Sequence, residues 1–295
     1  MNRNKYFWIY DVLFLLVLVL AGYLRLTGVK WGEGQGQHPD ENFLSSVLGS
    51  LQVHKCADAS ISVDACPPEQ RQWLGIGDYF NSKTSTLNPY NRGFAFFVYG
   101  DLPMTIVRVA VEASNQSDVK IIGRQFSALA DLFTILILYF IVARLYDRRV
   151  ALLAGLFSAL TVMQIQQSHF FTTDLFVNPF AFLATYFAVA ILDQKEENRE
   201  QKAGTGETLV ESQHTQFSTL QSLLSNHLFL YSLGFGVAYG MALASKVNIF
   251  PLAVLLPGAF ALRYFITDRK EGIADEPQQI EGTAVSYQPL INTGY

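Results

Sequence analysis

The sequence predicts an all-α polytopic membrane protein: a bundle of about six transmembrane helices with a large first extracytoplasmic loop. Three observations carry that expectation. Six apolar stretches come close to the length that crosses a bilayer. Charged residues make up 16% of the chain, against about 25% in an ordinary soluble domain, and 50% is hydrophobic, with 23 Phe and 14 Tyr. A polar interval of nearly a hundred residues separates the first apolar stretch from the second. The net charge of −4 argues against nucleic acid as a partner.

The first span, residues 7–27, is almost wholly apolar and would cover about 30 Å as a helix. Asp11 and Arg25 lie near its ends, where they are expected to reach headgroups. The stretch is too long for a secretory h-region, and Val29-Lys30-Trp31 is not a small-residue cleavage site, so it reads as a retained anchor. The remaining spans are expected at about 125–143, 150–166, 173–192, 228–245 and 250–266. Asp131, inside the second, should pair with a neighbouring helix.

Orientation follows from short loops. Arg144, Arg148 and Arg149 form the densest basic cluster, and Arg3, Lys5, Arg263, Arg269 and Lys270 fall on the same side, which should be cytoplasmic. The interval 193–226 is acidic on balance, rich in Glu, Gln, Ser and Thr, and reads as a disordered insert. The chain therefore divides into a membrane module at 1–192 containing the outer loop 28–124, a polar cytoplasmic insert at 193–227, two spans at 228–266 and a polar cytoplasmic tail at 267–295.

The outer loop holds both cysteines, Cys56 and Cys66. An oxidising compartment would let them pair, and closing so short a ring contributes roughly 2.5 to 3 kcal/mol in the loop-entropy model. Two free thiols are the alternative, and zinc has no nearby ligand pair. Residues 94–111 are apolar but interrupted by Gly100-Asp101, Pro103 and Arg108. They are expected to form a helix lying in the outer interface, with Tyr90, Tyr99 and Arg108 at headgroup level. Asn115-Gln116-Ser117 is a glycosylation triplet on that side.

Alternation of spans puts several chemistry-bearing residues on one face. They are His38-Pro39-Asp40-Glu41 after the first span, His169 and Asp174 in the turn before the fourth, and Lys246 at the end of the fifth. Carboxylates beside an ammonium at the lipid boundary would suit transfer from a lipid phosphate, since a cation at bilayer depth is expensive unless it meets an anion. Each residue has a plainer reading. Asp40 could N-cap a helix beginning near Asn42, and Lys246 could snorkel to headgroups. His38 and His169 read as hydrogen-bonding neighbours rather than metal ligands, although a His/Asp cluster could hold a divalent ion. Gly32-Glu33-Gly34-Gln35-Gly36 is no dinucleotide fingerprint, because no strand precedes it.

The order of first span, His38-Pro39-Asp40-Glu41, Phe97-Val98-Tyr99-Gly100-Asp101-Leu102-Pro103, Gly123-Arg124, Leu145-Tyr146-Asp147-Arg148-Arg149, Ser168-His169-Phe170 with Asp174, and Ala244-Ser245-Lys246 resembles the N-terminal part of the phospholipid-carrier-dependent glycosyltransferases. These are relatives of the protein O-mannosyltransferases and lipid A aminoarabinose transferases, with the GT-C membrane fold, and the resemblance runs from about residue 7 to 266.

The resemblance implies a catalytic set of Asp40 as base, Glu41 beside it and Asp174 as the second acidic residue. The carrier phosphate would be held by Lys246, then Arg124 and Arg92, with His38 and His169 alongside. It further implies a lipid-linked sugar donor, an acceptor hydroxyl and inverting transfer at the extracytoplasmic face of the plasma membrane; no cofactor is certain, and a divalent metal stays open. Family members commonly carry further spans and a C-terminal soluble domain. This chain is therefore expected to be a truncated product, one half of an enzyme completed by a second chain, or a degenerate paralogue. Two other classes remain open, a non-catalytic subunit and a small transporter; the two halves show no self-similarity of the kind an inverted-repeat transporter would have.

Overall fold

The computed structural model of the chain describes residues 7–32, 35–114, 118–193 and 226–274. Arg3, Lys5, the Glu33-Gly34 pair, the glycosylation triplet at 115–117, most of the expected insert, the side chains of Arg269 and Lys270, and the tail beyond 274 lie outside the described residues. The helices are α1 (Phe7–Leu26), α2 (Pro39–Ser50), α3 (Ile76–Tyr79), α4 (Asp101–Ser114), α5 (Val119–Leu145), α6 (Arg148–Leu160), α7 (Val162–Ser168), α8 (Thr173–Leu192), α9 (His227–Ser245) and α10 (Leu255–Ala274). The protein is an all-α polytopic membrane protein. α1, α5, α8, α9 and the segment Val247–Ile266 are each long and apolar enough to cross a bilayer.

The expected third span is not one continuous helix. It breaks at Thr161, and α6 and α7 meet at a bend of 58°. Together they still run the length of α1. At one end Arg148 Nη1 donates to Asp11 at 2.7 Å, and at the other the His169 ring meets the Thr27 carbonyl at 2.8 Å. Taken as one span, the broken pair brings the number of candidate passes among the described residues to six.

A helix broken inside a membrane leaves carbonyls without partners, and lipid supplies no donors. Arg25 supplies donors to two of them. Its Nη2 donates to the Ser158 carbonyl at 3.2 Å, which also takes the Thr161 N–H at 3.3 Å, and its Nη1 to that of Ala159 at 2.9 Å. Its Nε donates to Asp131 at 2.6 Å, so the charge is met across helices as Asp131's position led us to expect. Arg25 does not reach headgroups: it is completely buried. Asp11 accepts from the Tyr139 hydroxyl and from Arg148, both at 2.7 Å, and its side chain stays partly exposed.

The interval between α1 and α5 folds into a small layer over one end of the bundle. Cys56 and Cys66 are joined in a disulfide, beside a two-stranded antiparallel sheet of His54–Cys56 and Arg71–Trp73. Leu44, Val47 and Leu48 of α2, and Leu51 just after it, pack with Met104, Val107 and Val111 of α4 onto Phe171 and Phe176. At 14 residues α4 spans about 21 Å, short of a crossing. The helix begins at Asp101, not near residue 94, and the stretch from 94 to 100 is irregular. Arg108 is not presented at headgroup level but folds back onto Glu112 at 3.0 Å, its side chain 11% exposed.

Candidate active site

Adjacent residues in an α-helix point about 100° apart, and α2 uses this to separate its acidic pair. His38 is the N-cap, so Asp40 and Glu41 stand in the first turn and Asp40 is not the cap. Glu41 is turned inward and has no exposed surface. Its Oε1 accepts from Arg124 Nε at 2.6 Å and from the Phe171 backbone N–H at 2.9 Å, and its Oε2 accepts from Arg124 Nη2 at 2.7 Å.

Arg124 in turn donates through Nη1 to the carbonyls of Val29 (2.9 Å) and Trp31 (3.0 Å), with its guanidinium 5.2 Å from the Trp31 ring centre. One buried ion pair thus ties together the exit from α1, the start of α2, α5 and the turn before α8. Gly123 lets α5 close on that turn, because a Cβ there would fall 2.4 Å from the Phe171 ring.

The same turn is latched a second time. Trp31 Nε1 donates to the His169 carbonyl at 3.0 Å, and the His169 ring nitrogens face the carbonyls of Ile165 (2.7 Å) and Thr27 (2.8 Å). His169 is therefore a brace between backbones. The His38 ring lies 4.8 Å from that of Phe170. Its Nδ1 is buried without a hydrogen-bond partner among the described residues.

With the turn fixed, Asp174 stands in the first turn of α8, where backbone N–H groups have no helical partner and favour negative charge. It forms an ion pair with Lys246, the residue that ends α9. Asp40 and Asp174 both lie near Tyr99, close enough for their charges to act on its phenol. Burial first, then the proximity of Asp40 and the charge of Asp174, hold that phenol above its usual 10. Asp40, Tyr99, Asp174 and Lys246 accordingly form one constellation from four separate regions of sequence.

Tyr99 had no place in the site read from sequence. It is there because Gly100 is wedged onto the end of α9. The Gly100 N–H donates to the Ser245 carbonyl at 3.2 Å, and a Cβ on Gly100 would lie 2.0 Å from the Ala244 carbonyl oxygen. The one signal available beforehand was a glycine beside an aromatic residue at the interruption of an apolar stretch.

Arg92 does not belong to the constellation. Its Nε donates to the Ser50 carbonyl and its Nη2 to Asp64, both at 2.7 Å. Ser50 is the last residue of α2, about 15 Å along the axis from Asp40. Arg124 is buried under α2 and engaged with Glu41, so it too is removed from the opening. Among the described residues no three His, Cys, Asp or Glu side chains converge as a metal-binding group. The partly exposed group brings together two carboxylates, a phenol and an ammonium.

Residues 114–201 match the family model described as dolichyl-phosphate-mannose-protein mannosyltransferase, a family of membrane glycosyltransferases of the GT-C type. No curated protein and no solved structure matches the chain. The matched segment carries Arg124, His169 and Asp174, and the match supports a resemblance to GT-C glycosyltransferases. Asp40, Tyr99 and Lys246 fall outside it.

Proposed function

We propose that this chain transfers a sugar from a polyprenyl-phosphate carrier to an acceptor hydroxyl, with inversion, at the end of the bundle covered by the layer between α1 and α5. The observation that carries the reading is that Asp40 and Asp174 both lie near Tyr99, with Lys246 paired to Asp174, while the sequence neighbour of Asp40, Glu41, is buried as a brace. Asp40 takes the proton of the acceptor hydroxyl as its oxygen bonds to the anomeric carbon. The bond from that carbon to the carrier phosphate breaks, and the electron pair leaves with the phosphate. Lys246 neutralises the departing anion and Asp174 holds the ammonium in place. The side facing the opening is read as extracytoplasmic, at the plasma membrane, from the basic cluster at the opposite end.

The test is transfer of labelled sugar from a polyprenyl-phosphate donor in membranes containing the chain. Asp40→Asn keeps size and most hydrogen bonding but removes basicity, and transfer should fall by about 10²-fold or more with donor still bound. Normal transfer by that variant would remove Asp40 as the base.

A further inference from the structure

We infer that the segment between Arg92 and Asp101 is a membrane wedge: Phe96 and Val98 enter the lipid beside the end of α9 and pin the layer over the bundle to the bilayer. The inference does not depend on the reading of Asp40 as base. Residues 93–100, Gly-Phe-Ala-Phe-Phe-Val-Tyr-Gly, carry no charge. Phe97 turns into the core of the layer beside Phe43, while its two neighbours turn out, Phe96 82% and Val98 58% exposed. Large apolar side chains presented together in this way mark a contact surface.

The segment is irregular but fixed from behind. The Tyr90 phenol donates to the Phe97 carbonyl at 2.6 Å, the Phe94 N–H to the Pro89 carbonyl at 3.1 Å, and the Gly100 N–H to the Ser245 carbonyl at 3.2 Å. A Cβ on Gly100 would collide with Ala244, so the contact with α9 is backbone against backbone. Phe96 and Val98 cannot fold back under the layer without breaking these bonds.

The same bonds identify the occupant as lipid. Ser245 is the last residue of α9, a helix long and apolar enough to cross the bilayer. A chain reaches at most about 3.6 Å per residue, so Val98 lies within about 7 Å of Gly100 and Phe96 within about 14 Å. Both are thus tethered near the level where the span emerges, a region in which aromatic side chains settle. The span that follows Lys246 also turns Val247, Phe250 and Val254 outward, so apolar surface resumes one residue beyond it. The wedge continues that surface, and from 93 to 100 it offers no charged side chain to a partner in water.

Cys56 and Cys66 are joined and no other cysteine occurs, so Phe96→Cys provides a single thiol for a nitrobenzoxadiazole label. In phosphatidylcholine vesicles holding the full chain, emission from that label should shift to the blue. It should be quenched more by a nitroxide on the lipid acyl chain than by iodide in the water. Lys83→Cys, exposed in the layer, should show the reverse. Val98→Cys gives a second reading of the wedge should Phe96→Cys fail to fold. Nitroxide-lipid quenching no greater at 96 or 98 than at 83 overturns the inference, and would assign the patch to a partner from the aqueous phase.

Discussion

Replacing Glu41 by Gln separates the bracing carboxylate from the proposed reacting one, because Asp40 and Glu41 are sequence neighbours with opposite surroundings. Glu41 accepts three hydrogen bonds, at 2.6, 2.7 and 2.9 Å, and its partner Arg124 has a side chain only 4% exposed. Gln can keep one oxygen for the Phe171 N–H and Arg124 Nε, but its amide turns two donors toward Nη2 and leaves the guanidinium charge without a counterion. Removing one partner of a buried pair costs about 3–5 kcal/mol.

The bonds of Arg124 to Val29 and Trp31, and its place over the Trp31 ring, survive the change and put the expected loss near the lower figure. At about 2–4 °C per kcal/mol, roughly 3 kcal/mol is a fall of about 6–12 °C in the unfolding midpoint. The midpoint in detergent, followed by tryptophan fluorescence, measures it. A second variant with Arg124→Met added should recover part of the loss, since an apolar replacement for both charges removes the stranded one. A midpoint unchanged in Glu41→Gln, together with lost transfer, would refute this reasoning and make Glu41 a reacting group.

Two further outcomes are expected from the open face. Asp174→Asn should free Lys246 from its carboxylate, so the donor KM should fall while kcat also falls; Lys246→Ala should raise KM and lower kcat together, and steady-state transfer rates distinguish the patterns. A membrane-impermeant thiol reagent should label Lys83→Cys and spare Tyr146→Cys in intact cells, both positions being exposed at opposite ends of the bundle, and the reverse pattern would invert the orientation. Ser85 in the same turn is 2% exposed and would not report.

The spans were legible because a crossing helix must be apolar over its whole length, and that property is local. The break at Thr161 was not, since neither proline nor glycine marks it and its compensation comes from Arg25, more than a hundred positions away. Arg25 reads as a snorkelling residue until the bent helix supplies carbonyls for it. The different fates of Asp40 and Glu41 were legible in part. Leu44 and Leu48 define the buried stripe of α2, and Glu41 lies on that stripe while Asp40 falls off it. Nothing local identifies Arg124 as the partner.

Burial sorts the cations that the sequence offered as phosphate ligands. The side chains of Arg124 and Glu41 are 4% and 0% exposed, whereas those of Lys246 and Asp174 are 24% and 56% exposed. A buried bidentate pair cannot exchange its anion without stranding a charge in a medium that screens it poorly, at a cost of several kcal/mol. An open pair contributes about 0–1 kcal/mol and can trade one anion for another at little cost. A phosphate arriving at the opening would therefore displace or share Asp174 on Lys246 and would leave Arg124 untouched. Arg92, saturated at the far end of α2, is out of reach. Of the three candidate cations, Lys246 alone combines access, an exchangeable partner and a place beside the proposed base.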